Sequence, residues 1–325
     1  MNKRILLTSM TCSLALACSS RAEQGATGHY MPGAAASFID AFPGQANALA
    51  VLNYFTYYDG AAGGGRVLPF GGLLTANAEA TIYADTVAAI YQTPWSMLGG
   101  GFAFGAALPY VWVEVDGNAQ RVGPTGRPGP VFEVDDSANG IGDMQLIPFM
   151  LGWTNLMRDL KVDTRLSVYA PTGDYEVGAP DNIGKNYWTF EPGIMASWLS
   201  SKFGTEVSLY AGADFNLQNR DIDYTSGTAL HLDLTVAQHL PLGKGFIGVG
   251  ANAFYYQQVT GDSGDYARLG DFEGLTMGVG PVLSYVHPLR DGKAQLLAEV
   301  KWLPELSVDN RMKGDYIWCK LGLVF

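Results

Sequence analysis

Cysteine is nearly absent: the 325 residues hold three, Cys12, Cys18 and Cys319. The first two fall in a leader-like stretch, so Cys319 stands alone and no intramolecular disulfide staples the fold. Charge is scarce too. Asp, Glu, Lys and Arg make up 16% of the chain, against about 25% in ordinary soluble domains. No run reaches about 18 consecutive apolar residues free of charge, which excludes a transmembrane helix. No segment of useful length carries the helical period. HExxH, CxxC and GxSxG are all missing, so no zinc-protease, redox or nucleophile-elbow signature is present. GAAGGGR (60–66) is followed by neither Lys-Ser/Thr nor a helix, and reads as a flexible loop rather than a phosphate cradle.

At the N-terminus, Lys3 and Arg4 precede an apolar stretch from Ile5 to Ala17, then Ser20-Arg21-Ala22. This is the pattern of a secretory signal peptide over residues 1–22. Cys18 raises lipidation, but the residue three before it is Ala15 where a large aliphatic is usual. Loss of the leader leaves 17 bases against 31 acids, a net charge of −14. That balance argues against a nucleic-acid partner.

The dominant pattern has period two. In GTEVSLYAGADFNLQ, Val207, Leu209, Ala211, Ala213, Phe215 and Leu217 alternate with Glu206, Ser208, Tyr210, Asp214, Asn216 and Gln218. TALHLDLTVAQHL, VDTRLSVYA and AQLLAEVKW repeat the scheme. Side chains alternate across a strand, so one face is apolar and the other polar. The polar face mixes acids, bases, His, Tyr and Gly, as a lumen does. Twelve such segments lie near 47–58, 76–91, 97–113, 141–153, 160–170, 187–199, 204–218, 228–239, 245–258, 274–286, 293–303 and 315–325. About 11 tilted residues rise roughly 25 Å, the height of an outer-membrane apolar band. Pro148, Pro192 and Pro281 sit awkwardly inside three segments.

Connections alternate long and short, the long ones including 59–75, 114–140, 171–186 and 259–273. An up-and-down outer-membrane barrel demands that alternation, with short turns on the periplasmic side. The expected fold is therefore all-β: a signal peptide (1–22), an N-terminal segment (23–46), and a transmembrane antiparallel barrel of about 12 strands (47–325). Phe325, with Leu323, Leu321 and Ile317 on its face, is expected at the lipid-facing periplasmic rim. There it would close the barrel and serve the barrel-assembly machinery. Outer-membrane lipid and lipopolysaccharide are the expected surroundings.

The inward set carries the chemistry. Lumen-lining candidates are Glu79, Tyr83, Asp163, Arg165, Tyr169, Glu206, Tyr210, Asp214, His231, Asp233, Glu299, Lys301, Trp318 and Lys320, with Asp85, Asp143, Tyr256 and Tyr316 beside them. Rings interleaved with opposed charges suit a path for an aromatic solute with a polar end. Charges paired to fill a narrow barrel are the plainer reading. His231 and Asp233 share one face, but metal or acid–base chemistry needs a convergent third group. None follows from the spacing, so no metal or cofactor is expected. Asp262, Asp265, Asp271 and Glu273 read as a solvated loop. The segment before the first strand carries His29, Tyr30, Phe38 and Phe42. Exposed aromatics are uncommon in disordered tails, so it is expected inside the lumen as a plug.

GHYMPG (28–33), GIGDMQLIPFMLGW (140–153), SVYAPTGDYEVG (167–178) and NIGKNYWTFEPGIMASW (182–198) together resemble the outer-membrane family named for the meta-pathway of phenol degradation. The resemblance runs over roughly 28–325, and its joined pattern is PTGDY followed by N-x-G-x-N-x-W-x-F-x-P. It implies an outer-membrane barrel that admits aromatic or other small hydrophobic solutes passively, and it brings no set of functional residues. An outer-membrane enzyme acting on lipid, or a structural or adhesive barrel working through its loops, are the alternatives that the residues leave open.

Overall fold

The computed structural model describes residues 28–62, 67–70, 73–122, 128–154, 156–264, 267, 273–290 and 293–325. The predicted leader, Asp265 and Asp271 lie outside them. Fourteen strands form in chain order: β1 (Leu49–Ala61), β2 (Val67–Phe70), β3 (Leu73–Met97), β4 (Gly100–Val122), β5 (Pro128–Ile141), β6 (Met144–Trp153) and β7 (Leu160–Ala170). Then come β8 (Thr189–Leu199), β9 (Thr205–Asn216), β10 (Ala229–Leu242), β11 (Gly245–Gln258), β12 (Leu275–Leu289), β13 (Ala294–Asp309) and β14 (Lys313–Val324). Every pairing is antiparallel. Twelve strands, all but β2 and β5, close a ring, because β1 pairs with β14 from Ala50↔Val324 to Ala61↔Lys313 and with β3 on its other side. Phe325 and Leu49 extend the seam by exchanging backbone hydrogen bonds of 2.9 and 3.2 Å. Closure leaves no unpaired edge in hydrocarbon, which a lipid-embedded sheet requires.

Two stretches expected as loops are largely strand. β2 pairs with the start of β3, and β5 pairs with β4 from Tyr110↔Ile141 to Val122↔Pro128. Residues 114–122 and 128–140 are thus paired strand that prolongs the wall, since VWVEV and VFEVD keep their alternation through glycine and acidic residues. The prolines interrupt pairing without ending strands. Register slips beside Pro148, between Leu146 and Phe149. β8–β9 pairing skips Glu191 and Pro192, and β12–β13 pairing skips Val279 to Pro281 opposite Trp302 to Pro304. A proline has no amide to give its neighbour, so these gaps fall where the ladder lacks a donor.

The outer surface is apolar: Val87, Leu108, Ile194, Leu232, Val249, Leu283, Val300 and Leu321 are all exposed. On β7 to β10, β13 and β14 the inner surface is polar and buried, as the alternation predicts. Glu79, Tyr83 and Asp85 depart from that prediction. Their strand neighbours Ala78, Ala80 and Ala84 are buried, whereas Glu79 and Tyr83 are exposed on the outer wall. Tyr83 packs on Phe55 and Tyr57 there, and Asp85 accepts a hydrogen bond from Asn53. The period was readable on β3, but its inner face is alanine and its outer face polar, so composition misassigned the two sides.

Lys or Arg at mid-bilayer on a lipid face costs about 2–4 kcal/mol. Leu321→Arg should therefore lower the yield of folded, heat-modifiable protein on an unboiled detergent gel. Asp315→Arg, outward on the same strand but six residues nearer the long-loop end, should leave the yield unchanged.

Candidate functional site

The lumen is filled from below by residues 28–44. Ser37 caps a short 3-10 turn, Phe38–Asp40, by a reciprocal bond with Asp40. The wall holds the segment mostly through its backbone. Lys301 donates to the carbonyls of Gly33 and Ala35 at 3.1 and 2.9 Å. Asp233 accepts from the Gly33 and Ala35 amides and from the Tyr30 hydroxyl. Glu206 accepts from the Phe38 amide at 2.8 Å, and Trp318 donates to Pro32 O at 3.3 Å. Burial, then the Asp233 carboxylate, pushes the Tyr30 phenol well above its ordinary range. Lys320 reaches Asp40 at 2.7 Å and Glu299 at 3.1 Å. Arg165 clamps Asp163 with two hydrogen bonds of 2.8 and 2.9 Å and donates to Asp40 O. Phe42 lies in a hollow where a Cβ on Gly152 would stand 2.2 Å from its ring. Glycine at 152 therefore makes the hollow.

Above this floor is a cavity of about 320 Å³. One wall is smooth and apolar: Ala80, Ile82, Ala84 and Ala88 from β3, Ala107, Val111 and Val113 from β4. The opposite wall presents His29, Tyr30, Arg165, Tyr169, Glu191 and Tyr210. Met31 and Ala34 of the segment form the base, and Tyr175, Pro180 and Ile183 of the loop 171–186 form the roof. The volume lies in the range of sites for small organic ligands.

The roof is tied down at Asp143. Its carboxylate accepts from the amides of Gly173 and Lys185 at 2.9 and 2.7 Å and lies 2.9 Å from His29 Nε2. Burial opposes that carboxylate, but His29 and the two amides outweigh it and hold its pKa below the ordinary range. His29 Nδ1 is 2.7 Å from Thr189 Oγ1, and its ring stacks on Tyr169 at 4.9 Å. Thr172 bonds Gly142 O and receives the Met144 amide. The GHY, GIGDM, PTGDY and NIGKN stretches, far apart in sequence, thus meet in one knot joining floor, wall and roof.

Of the lumen candidates, Asp163, Arg165, Tyr169, Glu206, Tyr210, Asp214, His231, Asp233, Glu299, Lys301, Trp318 and Lys320 are buried inside. Only Arg165, Tyr169, Tyr210 and Trp318 of these border the cavity. Glu206, Asp233, Lys301 and Lys320 hold the segment instead. His29, Tyr30, Phe38 and Phe42 lie within the barrel, His29 and Tyr30 at the cavity. Asp262, read as solvated, is buried and accepts from the Gly227 amide at 2.8 Å. Glu191 was missed. It accepts from Tyr169 and Tyr210 at 2.7 and 2.5 Å, and the adjoining Pro192 hid its strand parity.

Residues 59–321 match the family described as MetA-pathway of phenol degradation. The chain belongs to that family. Among solved structures it is similar to the COG4313 outer membrane channel from Pseudomonas putida F1, at 14% identity and TM-score 0.63, covering 91% of this chain and all of that one. The β domain of the Bordetella autotransporter BrkA is a weaker likeness, at 11% identity and TM-score 0.47, covering 86% of this chain and 99% of that one. No curated protein matches in sequence. The protein is a twelve-stranded barrel of the Gram-negative outer membrane with the fold of a channel.

Asp143→Ala should release the roof while leaving the barrel closed. Two part-buried amides lose their acceptor, at up to about 1 kcal/mol each once water can reach them. Hydrogen exchange should rise at Gly173 and Lys185, with the amides of β10 and β11 unchanged.

Proposed function

We propose that the protein is a passive route across the outer membrane for small hydrophobic compounds, aromatic ones with a single polar end above all. The observation that carries this reading is the two-faced cavity. Its alanine and valine wall takes an apolar ring, since burying apolar surface stabilises by about 25 cal/mol per Å². The tyrosines, Arg165 and His29 opposite offer hydrogen bonds to one hydroxyl or carboxylate. A strongly hydrated solute would lose more on the apolar wall than it recovers on the other. Family membership agrees with the reading. Passage then depends on the segment 28–44 yielding at the floor.

Liposomes holding the pure protein provide the test. Phenol-sized aromatic solutes should enter faster than into empty liposomes, and a sugar of equal size should not. Ala84→Trp, which fills the apolar side, should slow the aromatic solute several-fold. Equal entry of the aromatic solute into loaded and empty liposomes would contradict the proposal. Deleting residues 28–45 should raise planar-bilayer conductance and admit sugars; the ladder starts at Leu49, so the sheet should still close with water in the segment's place at Asp233, Lys301 and Lys320, but open at a lower temperature.

A further inference from the structure

Glu191 from β8, Asp214 from β9 and His231 from β10 converge at one level of the wall, with one donor atom from each inside 4.8 Å of the others. We propose that they bind a divalent metal ion of the zinc class. His231 Nε2 stands 3.4 Å from Glu191 Oε1 and 3.6 Å from Asp214 Oδ1. Two donors sharing a tetrahedral ion with bonds of about 2.1 Å are separated by about that much. Both separations exceed a good charge-assisted hydrogen bond, which runs about 2.7–2.9 Å. Neither ring nitrogen of His231 has a hydrogen-bond partner, and its side chain is wholly buried. A buried imidazole whose nearest acceptors stand at 3.4 and 3.6 Å is poorly satisfied, and a metal bond replaces those long contacts.

Charge points the same way. Two carboxylates with a protonated imidazole leave the cluster at −1, whereas two carboxylates, a neutral imidazole and a divalent ion leave it at zero. The surroundings are those of a built site. Tyr169 and Tyr210 hold the two oxygens of Glu191, as outer-shell donors orient ligating carboxylates. Tyr30 stacks on the imidazole with ring centroids 3.7 Å apart. A Cβ on Gly212 would lie 2.4 Å from His231 Cε1, so glycine there admits the ring against the wall. Glu191 borders the cavity, so a fourth ligand such as water would reach the ion from that side. His231 and Asp233 were two parts of a pattern lacking a third; across the sheet, His231 finds its partners on β8 and β9 instead.

The test uses the mature protein folded in detergent, stripped with a chelator and titrated with Zn²⁺. One equivalent should survive gel filtration, and metal should raise the temperature at which the barrel opens on a heat-modifiability gel. Asp214→Asn and His231→Gln should abolish the retained equivalent, and Tyr169→Phe should weaken it about tenfold. His239→Gln, beside Glu206, should not. Should the ligand variants fail to fold, Co²⁺ in the unaltered protein decides: a visible spectrum of a nitrogen- and oxygen-ligated ion supports the site. Unaltered protein that retains neither metal, or retains it equally in the folded ligand variants, overturns the proposal and leaves an imidazolium between two carboxylates.

Discussion

Charges taken out of water must be neutralised inside the barrel, and the rest of the structure follows from that constraint. The outer wall faces lipid, so the alternation sends Asp163, Glu206, Asp233, Glu299, Lys301 and Lys320 inward. Buried and unpaired, each would cost several kcal/mol. The wall pairs some of them: Arg165 with Asp163, Lys320 with Glu299. The remainder are completed by the N-terminal segment, whose carbonyls take Lys301, whose amides serve Asp233 and Glu206, and whose Asp40 meets Lys320. The segment is therefore a structural component of the lumen as well as an obstruction in it.

The cavity arises where this polar filling stops. On β3 and β4 the residues lining the cavity are mostly alanine, valine and isoleucine and have no charges to satisfy. The segment's polar contacts consequently run mostly to β7–β10 and β13–β14, while toward β3 and β4 it offers chiefly apolar side chains, Ile39 in a cluster with Ala88 and Ala107 and Phe42 in one with Ile90 and Ala103, below the open space. An apolar wall facing a tyrosine-rich one is thus the residue of an uneven distribution of lumenal charge. The Asp143 knot keeps the roof over that space and couples it to His29 on the floor.

Most of the architecture was legible because period-two alternation is strong wherever one face is aliphatic and the other charged, as on β9, β10 and β13. β3 was legible in period and illegible in side: an alanine face carries no mark of the medium it meets, and Tyr83 and Asp85 suit either. The pairing of 114–122 with 128–140 was hidden by the glycines and acids of those strands. Functional positions fared worse, because they depend on contacts between strands. Asp143 draws its ligands from residues 29, 173 and 185, and Glu191 from 169 and 210. No local pattern encodes such distances. The location of the segment was inferred only from its length, its prolines and its aromatic content.

The central claim, that residues 28–44 lie inside the barrel as its floor, is tested most directly by thiol labelling from the periplasmic side. With Cys319 changed to Ala, Ala34→Cys places one thiol at the base of the cavity. A small maleimide should label it slowly through the lumen, and a bulky one should not label it until the barrel is opened by heat. Rapid labelling by the bulky reagent in the folded protein would contradict the account.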